Sequence, residues 1–138
     1  MENITFAMIK PTAFKKGYYG LILDRIYIAG FKLRAMKMTK VSPEVAKSFY
    51  KVHEGKPFFN DLINFISSGP VIVMILEKEN AVADFRELIG STNPIYAKEG
   101  SIRKDFATDL TQNAIHGSDS EENAKYELSH FFSLSEWI

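Results

Sequence analysis

The chain has 138 residues, with 17 basic and 17 acidic side chains, a formal net charge of zero, and no cysteine. Its length fits one domain spanning residues 1–138, and its balanced charge lacks the basic excess of a dedicated nucleic-acid binder. The absence of cysteine excludes disulfides and thiolate metal sites and fits a cytoplasmic protein.

In chain order, Met1-Glu2-Asn3-Ile4-Thr5 lacks the basic start and apolar run of a signal peptide. Ile4 to Ile9 is apolar and β-prone and predicts a strand. Lys10-Pro11 ends it, because proline cannot continue a central strand. A lysine at the end of a buried strand is either a surface group or a ligand contact. After a turn-rich stretch at 15–20, Leu21, Ile22, Ile26 and Ala29 repeat at helical spacing, and Gly30 supplies the stop. Phe31, Leu33 and Ala35 alternate with Lys32 and Arg34, predicting a half-buried strand. The alternation falters at Ala35-Met36, which predicts a bulge or a covered second face. Met36 and Met38 then face the other way, as ordinary core or as a subunit contact.

Ser42-Pro43 is a helix start, a serine cap followed by proline at the first helical position. Val45, Phe49 and Val52 form its apolar stripe. Gly55-Lys56-Pro57 breaks it, and Phe58, Phe59, Leu62, Ile63 and Ile66 form a second stripe that ends at Gly69. Together they predict a helical hairpin able to line one wall of a cleft. Val71 to Leu76 is apolar on both faces, so both faces are predicted to be covered. It is the longest apolar run and is too short to cross a bilayer. Val82, Phe85, Leu88 and Ile89 predict another helix, stopped by Gly90.

From Ser91 to Gln112 the regular patterns stop, and runs this long are usually functional. Ala114-Ile115-His116 predicts a short strand, and Ser118-Asp119-Ser120-Glu121 matches a capping box. Ala124, Leu128, Phe131 and Phe132 form the last stripe, with Glu127 at its border, where a carboxylate needs a partner. Leu134 to Ile138 shows no regular pattern. The order of elements predicts an α/β (α+β) fold of the ferredoxin-like sandwich type, a four-stranded, mainly antiparallel sheet covered by helices.

The candidate functional side chains are Lys10, Tyr50, Arg86, Thr92, Arg103, Asn113, His116, Ser118 and Glu127. Lys10 and His116 end apolar strands, and Arg103 and Asn113 flank the long loop. A cationic pocket around a histidine suits phosphoryl groups, whose transfer is catalysed by positioning and charge neutralisation. His116 is then either a hydrogen-bonded structural residue or a nucleophile. Phe58 fits core packing in its stripe; its alternative is to stack on an aromatic ring. No Walker or dinucleotide loop, no histidine pair at metal-ligand spacing and no Gly-x-Ser-x-Gly turn occurs.

The string Asn113-Ala114-Ile115-His116-Gly117-Ser118-Asp119-Ser120 resembles the active-site signature of nucleoside diphosphate kinases. Phe6-Ala7-Met8-Ile9-Lys10-Pro11, Phe49-Tyr50, Gly55-Lys56-Pro57-Phe58-Phe59, Ser68-Gly69-Pro70-Val71, Gly90-Ser91-Thr92-Asn93-Pro94 and Gly100 to Phe106 resemble further segments of that family, in order along the chain. The resemblance implies transfer of the terminal phosphate of a nucleoside triphosphate to a diphosphate in two half-reactions. His116 matches the phosphorylated nucleophile, and Glu127 and Ser118 match the pair that orients it. Lys10, Tyr50, Arg86, Thr92, Arg103 and Asn113 match groups that hold phosphate, ribose or the histidine region. Phe58 matches the ring that stacks on the base, with Leu62 and Leu110 beside it. Magnesium is expected on the nucleotide phosphates rather than in a protein metal site, with Asp119 near it through water. The family also implies a homo-oligomer, a dimer-based tetramer or hexamer, and no membrane partner.

Two departures stand out. Lys98-Glu99-Gly100-Ser101 replaces a stretch where many members carry proline before the glycine and threonine after it. The chain also ends soon after its last helix, where many members extend further. Two rival readings are a ferredoxin-like sensing or RNA-binding module and a histidine phosphocarrier. An RNA module would show an aromatic-basic strand, whereas the third strand here is aliphatic. A phosphocarrier would not need Phe58 or several arginines.

Overall fold

The computed structural model describes residues 3–137, so Met1, Glu2 and Ile138 lie outside the described residues. The strands are β1 (Ile4–Ile9), β2 (Lys32–Lys40), β3 (Pro70–Glu77) and β4 (Ile115–Gly117). They form one sheet in the order β2-β3-β1-β4, and each neighbouring pair is antiparallel. The helices are α1 (Pro11–Lys15), α2 (Tyr19–Ile28), α3 (Pro43–Phe49), α4 (Phe59–Ile66), α5 (Ala81–Ile89), α6 (Ile102–Phe106) and α7 (Glu121–Leu128). This is the predicted ferredoxin-like order, with α1 and α6 added.

Side-chain alternation in the central strands sorts the core into two layers. Phe6, Met8, Val71, Val73 and Ile75 face α3, α4 and α7, packing with Phe49, Tyr50, Ile63, Ile66 and Leu128. Ala7, Ile9, Ile72, Met74 and Leu76 face the other way, against Ile22 and Ile26 of α2, Phe85 and Ile89 of α5, and Ile102 of α6. The helical hairpin is therefore the cover of the second face. It is what allows β3 to be apolar throughout.

Local chemistry sets the element ends. Ser42 Oγ accepts the Val45 N–H, capping α3, with Pro43 at the first helical position. At the end of α2, Gly30 adopts φ +95. Its N–H reaches Tyr27 C=O at 3.0 Å and Phe31 N–H reaches Ile26 C=O at 3.4 Å, a left-handed closure that favours glycine.

The structure corrects several expectations. The bulge in β2 falls between Leu33 and Ala35, not at Ala35-Met36. Arg34 is the extra residue, and its guanidinium reaches Glu77 across the pair. Val52 is 76% exposed, because a 3₁₀ turn at Lys51–His53 carries the chain away from the α3 stripe. Phe58 is 47% exposed rather than core, since α4 begins one residue after it. The cap of α7 is Ser120, which accepts the Asn123 N–H, not Ser118. Ser118 instead turns inward and is fully buried. Within 91–112, Ser101 caps the short α6. No described helix is long and apolar enough to cross a membrane.

Gly117 shows how tightly α5 seats on β4. A Cβ built there would lie 2.7 Å from Phe85 Cδ2 and 3.1 Å from Ile89 Cδ1. Gly117→Ala is expected to cost about 1–3 kcal/mol of stability through overpacking. Urea unfolding of the two proteins checks this, and an unchanged midpoint would refute the close approach.

Candidate functional site

The site is built where β1 and β4 run side by side. Met8 pairs with His116 and Ala7 with Gly117. Ile115 belongs to the α2/α5 layer, so His116 points to the opposite face, toward α3 and α7. There its ring lies 5.2 Å from Phe49, 6.2 Å from Phe6 and 6.4 Å from Tyr50, centroid to centroid. Aromatic walls on several sides limit how the imidazole can turn.

A hydrogen-bond chain fixes it further. His116 Nε2 lies 2.8 Å from Glu127 Oε1, and Ser118 Oγ donates to the same oxygen at 2.6 Å. A carboxylate only accepts, so Nε2 carries the proton and the ring lone pair resides on Nδ1. Glu127, expected at the border of its stripe, is buried, and these donors are the partners it requires. Just before β4, Ile115 N–H bonds Asn113 C=O at 2.9 Å across Ala114, which has φ +75. This three-residue turn is a rare, strained conformation for a non-glycine residue, and it sits two positions from the histidine.

Cations gather on the same side. Lys10 is only 4% exposed, and its Nζ donates to Asn113 Oδ1 at 2.8 Å. Burial, helped by Arg103, pulls its ammonium down to about 7. Arg103 donates to Gly90 C=O at 2.9 Å and to Ile115 C=O at 2.8 Å. Burial, with Arg86 adding repulsion, lowers it to about 10. Tyr50 is pushed above the usual phenol range by burial and by the field of Glu127. Among the described residues, the Tyr50 hydroxyl and Arg103 Nε, with Thr5 Oγ1 elsewhere in β1, are buried without a hydrogen-bond partner. Orphaned buried donors are costly and point to a polar ligand that completes them.

Arg86, Thr92 and Arg103 line one cleft of about 450 Å³, together with Gly90 and Lys98. Arg86 also faces Asp119 across an adjoining cleft of about 570 Å³. Phe58, Leu62 and Leu110 line neither. Phe58 is exposed on the hairpin with its ring 5.3 Å from His53. Leu62 is half-buried beneath it. Leu110 is 56% exposed on the connection before β4, its C=O accepting from Asn113 Nδ2 at 2.9 Å.

The sequence reading missed His53. Burial lowers its pKa, with Lys56 and His116 adding repulsion and Asp119 opposing, and its ring lies 6.1 Å from that of Tyr50. Its spacing from Tyr50, inside the break of the hairpin, was the available signal. Nor did sequence suggest that Thr12 donates to Gln112 at 2.7 Å, tying α1 to the loop before Asn113. Among the described residues, no group of three or more His, Cys, Asp or Glu is placed to hold a metal.

The nucleoside diphosphate kinase family model matches residues 3–137. A nucleoside diphosphate kinase of Salinibacter ruber is 54% identical over 97% of this chain and 94% of its own length. One from Geotalea uraniireducens is 50% identical over 97% of this chain and 98% of its own. The solved nucleoside diphosphate kinase of Aquifex aeolicus superposes with a TM-score of 0.96 at 45% identity, covering 99% of both chains. A halophilic one from Halobacterium salinarum, in complex with CDP, gives 0.95 at 38% identity, covering 100% of this chain and 92% of that one.

The Lys10 environment has a signature in stability. Its pKa falls from 10.5 to about 7 on folding, so between these values the unfolded chain binds more protons than the folded one. Stability therefore rises with pH across this window. Lys10→Met removes that slope. Urea titrations of both proteins from pH 6.5 to 10 are expected to show wild type gaining on the variant as pH rises; parallel curves would contradict it.

Proposed function

The chain belongs to the nucleoside diphosphate kinase family, and from that membership we propose how its residues carry the phosphotransfer. It is a phosphotransferase acting on nucleoside tri- and diphosphates. The observation that carries the residue assignment is the Ser118–Glu127–His116 chain set beside the buried cations Lys10 and Arg103.

His116 is the nucleophile. With Nε2–H committed to Glu127, the Nδ1 lone pair attacks the terminal phosphorus. An N–P bond forms as the bond from phosphorus to the bridging oxygen breaks, and the nucleoside diphosphate leaves with that oxygen and its electrons. A second diphosphate then attacks through a terminal oxygen, the N–P bond breaks, and the lone pair returns to Nδ1. One site thus serves donor and acceptor in turn, in ping-pong order. Glu127 and Ser118 orient the ring. Lys10, Arg86, Arg103 and Thr92 hold the phosphates, and Tyr50 and Asn113 complete the pocket around His116. A phosphate near Lys10 favours its charged form, offsetting what burial removes.

Phe58 stacks the base, flanked by Leu62 and Leu110. Stacking needs only a π-face, so purines and pyrimidines are both accepted. The CDP held by the halobacterial relative supports a nucleoside diphosphate site. Magnesium, arriving with the nucleotide, supplies charge neutralisation on its phosphate oxygens. The orphaned donors of Tyr50 and Arg103 suit such an anionic cargo, and exposed Asp119, lining a cleft with Arg86, suits contact through water. The chain acts as one domain, 1–138, in the cytoplasm, as a dimer-based tetramer or hexamer. Support for assembly comes from the edge strand β2, where Leu33, Met36 and Met38 are exposed.

Incubation with magnesium and terminally labelled ATP is expected to place an acid-labile label on His116 that GDP removes. His116→Ala should abolish both steps, and labelling that survives the substitution would end the assignment. A label that GDP cannot discharge would instead favour a phosphocarrier. Phe58→Ala should lower kcat/KM about tenfold for purine and pyrimidine nucleotides alike, within the usual ~1–3 kcal/mol for base stacking. Steady-state kinetics with ATP and CTP measure this, and an unchanged kcat/KM would remove Phe58 from the site.

A further inference from the structure

Arg103 is buried and makes hydrogen bonds to backbone carbonyls on both sides of it. Its own backbone, however, belongs to α6, five residues long. A helix this short has little stability of its own and takes its position from what it is packed against. Ile102 anchors one side in the sheet core. On the other side Arg25 of α2 holds it. Its Nη1 donates to Gly100 C=O at 3.1 Å, just before the helix. Its Nη2 pairs with Asp105 Oδ2 at 2.5 Å, within the helix. The guanidinium also lies 4.9 Å from the centroid of the Phe106 ring, at the helix end. Phe106 in turn packs on Tyr18 at 5.2 Å, at the start of α2.

We propose that Arg25 is a positioning residue for phosphoryl transfer, clamping α6 at its start and end so that Arg103 is presented to the phosphates. The inference rests on the phosphate-binding role assigned to Arg103. The planar fork of arginine spans Gly100 and Asp105 together, which the point charge of lysine does not reproduce. Gly100 has φ +84, so the clamp grips the chain where it turns into α6. It also lies within Lys98-Glu99-Gly100-Ser101, where the sequence departs from the proline and threonine of many relatives.

The opposing account is that Arg25–Asp105 is an ordinary surface pair. Its side chains are 33% and 36% exposed, and such pairs contribute little to stability. The proposal therefore predicts an effect on rate that exceeds any effect on stability. Four variants decide: Arg25→Ala, Arg25→Lys, Arg103→Ala and the double variant Arg25→Ala/Arg103→Ala. Each is measured for single-turnover labelling of His116 by magnesium and terminally labelled ATP, and for its thermal midpoint. Arg25→Ala is expected to slow labelling about tenfold, as misplacement of a charge clamp does, with its midpoint near wild type. Arg25→Lys should fall between, and serves as the reporter if the alanine variant does not fold. In the Arg103→Ala background, removing Arg25 should produce no further loss, because both changes remove the same contact. Wild-type labelling by Arg25→Ala, or losses that add in full, would overturn the clamp. Wild-type labelling by Arg103→Ala would instead overturn the role of Arg103, and the clamp with it.

Discussion

β4 spans only Ile115–Gly117, yet its pairing with β1 decides which side of the sheet carries His116. Strand side chains alternate, so a slip of one residue would send the histidine into the α2/α5 layer and Ile115 into the site. Two features guard the register. Gly117 leaves no room for a side chain against Phe85, so no other residue of the strand fits that place. On the opposite face, Glu127 waits at hydrogen-bond distance for an imidazole. The buried carboxylate and the buried apolar contact demand the same register, and neither tolerates the alternative.

Charge is arranged with the same economy. Burial lowers the pKa values of Lys10 and Arg103, and repulsion adds to it, from Arg103 on Lys10 and from Arg86 on Arg103. Such repulsion opposes folding, and its release accompanies binding of a polyanion. The buried carboxylate on this side, Glu127, is occupied by Ser118 and His116 rather than by the cations. In the proposed function the cations meet the incoming phosphates, while Glu127 orients the histidine.

The sequence made the sheet and the paired helices legible because their apolar periods are long and uninterrupted. It misled where two local rules competed. Ser118 and Ser120 both satisfy a helix-cap pattern, and burial decided between them: Ser118 faces Glu127, leaving Ser120 to cap. Phe58 fits an apolar stripe, but the stripe starts one residue later. The α6 helix was hidden because five residues give too few turns for a period. The site itself was legible mainly through family resemblance. Lys10 meets Asn113 across 103 residues of sequence, and no local pattern reports a contact of that kind. His53 escaped notice for a related reason, since the turn at 51–53 sets its ring between Tyr50 and Phe58.

Rigid and adjustable parts are divided between two kinds of element. His116, Lys10 and Glu127 stand on the sheet or on a helix packed against it, fixed by core contacts on both faces. Phe58 and Leu110 stand on exposed turns of the hairpin and of the long connection, where the proposed function puts the base. In the proposed function, the phosphate chemistry common to every nucleotide thus falls to side chains of the packed layers, and contact with the base to the surface. Arg103 belongs to both parts. Its guanidinium is locked to Gly90 and Ile115, but its backbone rides on the connection. A residue in that position needs an anchor beyond the sheet, and α2 is the nearest rigid element that can supply one.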